Sequence, residues 1–139
     1  MVFWIWTKKI SVGIDKIDDQ HKKFIGLVND VYSLSQKSRP DTKVITRKSL
    51  DILEYARYHF TTEEDYFDKY NFPDATAHRK EHMKLLKKAI SLSDRISGKE
   101  DVIVEFLEFL KDWLEDHIRN YDLKYAEYFK KIGVIDLIV

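Results

Sequence analysis

His78-Arg-Lys-Glu-His82-Met-Lys-Leu-Leu-Lys-Lys-Ala89-Ile-Ser-Leu-Ser-Asp-Arg-Ile96 is the stretch that decides the fold. His78, His82, Leu85, Ala89, Leu92 and Ile96 recur every three or four residues, with lysines and small polar residues between them. That period places them on one face of a helix over residues 74–96, ending at Gly98. A histidine pair heads the apolar stripe, so this face carries chemistry as well as packing.

The same period recurs on either side. Residues 19–37 place His21, Phe24, Leu27, Val28, Val31 and Leu34 on one face, with Asp18 as the N-cap. Residues 42–69 do so with Leu50, Leu53, Ala56, His59, Phe60, Glu63 and Phe67. Residues 99–120 do so with Ile103, Phe106, Leu110, Trp113, Leu114 and His117. Ser38-Arg-Pro40-Asp41 and Asn71-Phe72-Pro73-Asp74 separate them. The expectation is an all-α fold, an up-down-up-down antiparallel four-helix bundle. An aromatic N-terminal arm, residues 1–18, should pack its tryptophans on the bundle. A short helix over residues 121–132 stops at Gly133, and the apolar tail 134–139 either docks or associates.

Composition agrees. The chain has 139 residues, the size of one domain, 44% of them hydrophobic. Four Gly and two Pro leave room for long uninterrupted helices. Lys+Arg and Asp+Glu are both 24, so no overall positive charge favours nucleic acid. No apolar run is long enough to cross a membrane, and the apolar start precedes Lys8-Lys9, the wrong order for a secretory signal. The expected location is the cytoplasm. With no cysteine, there is no thiolate metal site and no Cys nucleophile.

All five histidines fall on apolar stripes. His21 lies at the start of the first helix, His59 and Glu63 late in the second, His78 and His82 early in the third, and His117 late in the fourth. In an antiparallel bundle those four positions share one end. His59/Glu63 and His78/His82 are i,i+4 pairs, each able to chelate one metal or straddle two. Asp122, five residues after His117, would point away from it in a regular helix. If both bind metal, residues 117–122 must break or take a π-type turn. Five imidazoles and two carboxylates exceed one tetrahedral zinc and suit two borderline metals, with iron a good match.

The chain resembles the hemerythrin family. The resemblance rests on Val12-Gly-Ile-Asp-Lys-Ile-Asp-Asp-Gln-His21, His59-x-x-x-Glu63, His78-x-x-x-His82 and Trp113-Leu-x-x-His117-Ile-x-x-x-Asp122-x-x-Tyr125. These occur in the family's order, with spacings like those of the longer prokaryotic single-domain members. The resemblance implies a non-haem di-iron centre that carries or stores O2 reversibly and is not an enzyme. It implies that His78, His82 and His117 hold one iron and that His21 and His59 hold the other, which keeps an open position. Glu63, Asp122 and an oxo or hydroxo group would bridge them. O2 would bind end-on at the open iron as hydroperoxide, in a pocket for which Phe24, Phe60, Trp113, Leu114 and Ile118 are the apolar candidates. An O2-consuming protein is a conceivable partner, and a monomer or weak oligomer the expected assembly.

Other functions fit less of the chain. A stand-alone O2 or redox sensor, or a di-iron enzyme acting on peroxide or nitric oxide, would use the same ligands. A ferritin-like ferroxidase would need Glu-x-x-His pairs, which are absent from the sequence. His78-Arg-Lys-Glu81-His82 matches a short zinc-protease pattern, but that leaves His21, His59 and His117 without a role.

Overall fold

A computed structural model describes residues 2–98 and 101–139. The helices are α1 (Asp15–Ser35), α2 (Thr42–Lys69), α3 (Ala75–Ser97), α4 (Ile103–His117) and α5 (Leu123–Lys131). A π-helical turn, Ile118–Asp122, joins α4 to α5. Helices α1 to α4 form a closed ring, each packed against two of the others. The result is an all-helical four-helix bundle, with no strand among the described residues.

The capping chemistry explains where the chain turns. Asp41 accepts hydrogen bonds from the amides of Lys43 and Val44 and so starts α2. At the other end of α2, Asn71 adopts φ +54°. Asn tolerates the left-handed region better than most side chains. The Phe72 amide then donates back to the Phe67 carbonyl at 2.9 Å, and the two rings pack with centroids 5.1 Å apart. This is a Schellman ending with its hydrophobic contact, and Pro73 then prevents the helix from resuming. Gly133, at φ +76°, ends α5 in the same way through Gly133–Lys130 and Val134–Phe129 backbone bonds. Gly98 ends α3 differently, as a cap at φ −77° whose amide donates to the Asp94 carbonyl at 2.9 Å.

Two expectations need correcting. Helix α1 begins at Asp15, not Asp19, and Asp18 is not its N-cap. Asp18 lies inside the first turn, where its carboxylate accepts from the Val12 amide at 2.9 Å and from the Ser11 hydroxyl. It ties down the incoming arm instead of capping the helix. Leu50 does not join the core. It is 50% exposed, and Ser49 and Ile52 lie inward in that part of α2. The expected start of the fourth helix at Lys99 lies outside the described residues, and α4 runs from Ile103.

The arm is anchored by Trp4, which is 2% exposed. Its indole N–H donates to Glu115 of α4 at 2.8 Å, and its backbone exchanges two hydrogen bonds with the Asn29 side chain of α1. Its ring meets Phe24 edge-on. The tail folds back, with Ile138 buried and Lys16 Nζ donating to the Val139 carbonyl. One half of the bundle is filled by aliphatic and aromatic side chains such as Val28, Val31, Ile45, Ile52, Leu92 and Phe106. The other half holds all five histidines.

Candidate metal centre

The π turn determines the geometry of the site. It inserts one extra residue between α4 and α5, which rotates everything after it by about 100° relative to α4. Asp122 therefore faces inward beside His117, with Oδ1 3.0 Å from His117 Nε2. It also lies 3.1 Å from His78 Nε2, and its other oxygen is 3.3 Å from His21 Nε2. Glu63 Oε1 lies 3.3 Å from both His59 Nε2 and His82 Nε2.

The donor atoms form two groups, each with its atoms within 4.8 Å of one another. Glu63, His78, His82, His117 and Asp122 make one; His21, His59, Glu63 and Asp122 make the other. The two carboxylates belong to both groups. All seven residues are buried.

Most of these atoms face each other without hydrogen bonds. Nε2 of His21, His59 and His82, Oε1 of Glu63 and both Asp122 oxygens are buried without a hydrogen-bond partner. A buried polar atom left unpaired costs about 1–3 kcal/mol. Six such atoms spread over the two overlapping groups fit shared cations, which would satisfy them together.

Two of the outward ring nitrogens, those of His59 and His82, are organised as metal-binding imidazoles require, whereas Nδ1 of His21 and His117 has no hydrogen-bond partner. His59 Nδ1 donates to Gln20 Oε1 at 2.6 Å, and the Gln20 amide is oriented by its own bond to Thr62. His82 Nδ1 donates to Glu64 Oε2 at 2.9 Å. Each bond puts the ring proton on Nδ1 and leaves the Nε2 lone pair facing the centre. Tyr125 donates its hydroxyl to Glu63 Oε2.

The electrostatics follow from burial and crowding. Burial holds the His59 ring down to about 4, against the pull of Glu63. His82 is pushed up to about 9: burial opposes this, but the two carboxylates beside it, Glu63 and Glu64, outweigh it. Burial raises Glu63 and Asp122, and the Asp122 charge raises Glu63 further, yet the surrounding imidazoles hold both below the ordinary carboxylate range. Burial and the Glu63 charge push the Tyr125 phenol up.

Apolar rings close the site. Phe60 stacks on His82 with centroids 3.8 Å apart, and Trp113 stacks on His117 at 4.4 Å. Phe24, Leu114 and Ile118 are buried, and Trp113 is half-buried. Gln20 also lines a surface cleft of about 660 Å³ between the start of α1 and the C-terminal tail. Glu81 belongs to neither donor group and pairs with Lys84, so the short protease pattern has no base beside the histidines.

Sequence reasoning assigned no roles to Gln20, Glu64 and Tyr125. Gln20 and Tyr125 stand inside the motifs quoted above, and Glu64 follows Glu63. Their partners lie 39, 18 and 62 residues away in the chain, so no local spacing exposes the pairing.

Comparison with known proteins gives a consistent answer. The family model described as "Hemerythrin HHE cation binding domain" matches residues 12–129. The bacteriohemerythrin of Clostridium acetobutylicum is 30% identical over 130 residues, covering 89% of this chain and 99% of that protein. A hemerythrin-like protein of Naegleria gruberi is 31% identical over 120 residues, covering 86% and 88%. A wild-type hemerythrin crystal structure superposes with a TM-score of 0.82 at 27% identity, covering 90% of this chain and 96% of the other. With a matching model over most of its length and the donor cluster at one end of the bundle, this chain belongs to the hemerythrin family.

Proposed function

We propose that the chain binds O2 reversibly, as a carrier or store, at two iron ions held by His21, His59, Glu63, His78, His82, His117 and Asp122. The observation that carries this reading is the sharing of Glu63 and Asp122 between two donor groups. Shared carboxylates suit a pair of ions, and imidazole with carboxylate and no thiolate suits iron. One group has three histidines and the other two, so the second would keep a position open for a ligand. When bound, the iron pair would supply two reducing equivalents and that open position. The bacteriohemerythrin relatives support the same reading.

The protein's own residues serve this function by holding and shielding. Gln20 and Glu64 orient two imidazoles, and Tyr125 steadies the shared Glu63. Phe24, Phe60, Trp113, Leu114 and Ile118 provide apolar surroundings that keep water from driving the bound ligand off. The cleft beside Gln20 offers an approach to the two-histidine side. Glu64 and Tyr125 are both engaged in these supporting bonds, which favours a binding protein over an enzyme. Released O2 would be available to an O2-consuming protein.

The test is metal analysis with an optical spectrum. Two irons per chain, and a visible band that appears with O2 and vanishes on purging, are the expected result. Two irons with irreversible oxidation would overturn carriage, and one zinc with no colour would overturn the di-iron reading itself.

A further inference from the structure

The two donor groups are supported unequally. His59 donates its outer N–H to a neutral amide, Gln20, whereas His82 donates to a carboxylate, Glu64. Glu64 is itself fixed. Arg79 Nε lies 3.3 Å from Glu64 Oε1, leaving Oε2 for His82. Arg79 also reaches the Glu64 carbonyl at 3.4 Å and the Asp68 carboxylate at 2.5 Å. Glu64 thus holds the His82 ring by its Nδ1 and leaves Nε2 facing the centre, 3.3 Å from Glu63 Oε1, while Phe60 stacks on its face.

A carboxylate acceptor draws the ring proton further than an amide does and makes the ring a stronger electron donor at Nε2. We propose that Glu64 is a positioning residue that makes His82 the stronger of the two supported imidazoles, so that the metal of the three-histidine group is the more firmly held and the more readily kept in its higher oxidation state. Arg79 and Asp68 serve by holding Glu64 in place. This proposal rests on the di-iron reading above.

The experiment compares the iron-loaded protein with Glu64→Gln, Arg79→Met and Gln20→Glu. Glu64→Gln keeps an acceptor of similar size and removes the charge. Two properties are read: the midpoint potential, by spectroelectrochemical titration, and the two-phase extraction of iron by a chelator. In the unsubstituted protein one iron should leave clearly after the other. Glu64→Gln should raise the potential and speed the slow phase by about tenfold or more. Arg79→Met should do the same to a smaller degree. Gln20→Glu should lower the potential and slow the fast phase. A potential and slow phase unmoved by Glu64→Gln overturn the proposal while leaving two irons in place. Unsubstituted protein that takes up fewer than two irons overturns the di-iron reading and this proposal with it. A melting temperature of metal-stripped Glu64→Gln equal to that of the stripped parent separates electronic support from a loss of packing.

Discussion

Tyr125 reaches from α5 to α2 and donates its hydroxyl to Glu63, 62 residues earlier in the chain. Glu63 Oε2 has this donor, while Oε1 faces His59 and His82. Tyr125→Phe should leave Oε2 buried without a donor. The expected cost is about 1–3 kcal/mol of stability, read by thermal or chemical melting. Iron should also leave faster. Unchanged stability and unchanged iron retention would mean that the hydroxyl contributes nothing at Glu63.

Metal removal should weaken the fold. The donor atoms that lack hydrogen bonds within the protein would be satisfied together by cations, and their repulsions return when the ions go. A chelator should lower the melting temperature and loosen the helix ends around His21, His78 and His117 first. Hydrogen exchange at those helix ends is the local readout, and equal protection with and without metal would contradict the expectation.

His21→Ala and Asp122→Ala should differ in kind. His21 belongs to one donor group, whereas Asp122 belongs to both. The first substitution should leave one tightly held ion per chain, and the second should weaken both. Metal counting after gel filtration distinguishes them. Equal losses would mean that the two groups do not behave as separate sites.

Acid and alkali should act differently on the metal-stripped chain. An unfolded imidazole titrates near 6.5. His59 is held down to about 4, so the unfolded chain takes up its proton first, and stability is lost as pH falls from about 6.5 towards 4. His82 is pushed up to about 9, so its contribution is complete below about 6.5 and is lost as pH rises towards 9. Denaturation across a pH series should therefore show greatest stability near pH 6.5. Bound metal should flatten the alkaline side, because coordination holds both rings neutral, while acid releases the metal. An alkaline slope that survives metal loading would sink this expectation.

Trp4→Ala should cost about 3–5 kcal/mol, the usual range for removing a large buried aromatic. It would also strip Glu115 of its indole donor. A cost under about 1 kcal/mol in chemical denaturation would show that the arm is not part of the folded unit.

The helical stripes were legible because each depends on spacing within one helix, and the convergence of the five histidines with Glu63 and Asp122 because antiparallel helices bring those stripe positions to one end. So was the π turn, since His117 and Asp122 can meet only if the helix departs from its normal period. The start of α1 was misread because an Asp before an apolar stripe carries the same signature whether it caps its own helix or binds a neighbouring strand of chain. Asp18 does the second, for Val12. Leu50 and Ser49 are adjacent on α2, and apolar character favoured Leu50 although the helix turns Ser49 inward, where its hydroxyl bonds the Ile45 carbonyl. Glu64 was invisible because its role depends on which way a neighbouring helix presents His82. Tyr66, Tyr70 and Tyr128 pack partly against the core.

The extra residue in the turn at Ile118–Asp122 gives the helix a seam at which its length can change. Deleting Asn120 would restore an unbroken α-helix and leave the aspartate four residues after His117, still on the face of the cluster. Straightening the turn with all its residues kept would instead swing Asp122 out of the cluster and put α5 out of phase with the core it now covers. A one-residue deletion scan along α4 and α5 should therefore recover metal-binding protein at this segment and lose it on either side. Elsewhere in the bundle a change of chain length rephases every side chain that follows, and here it does not.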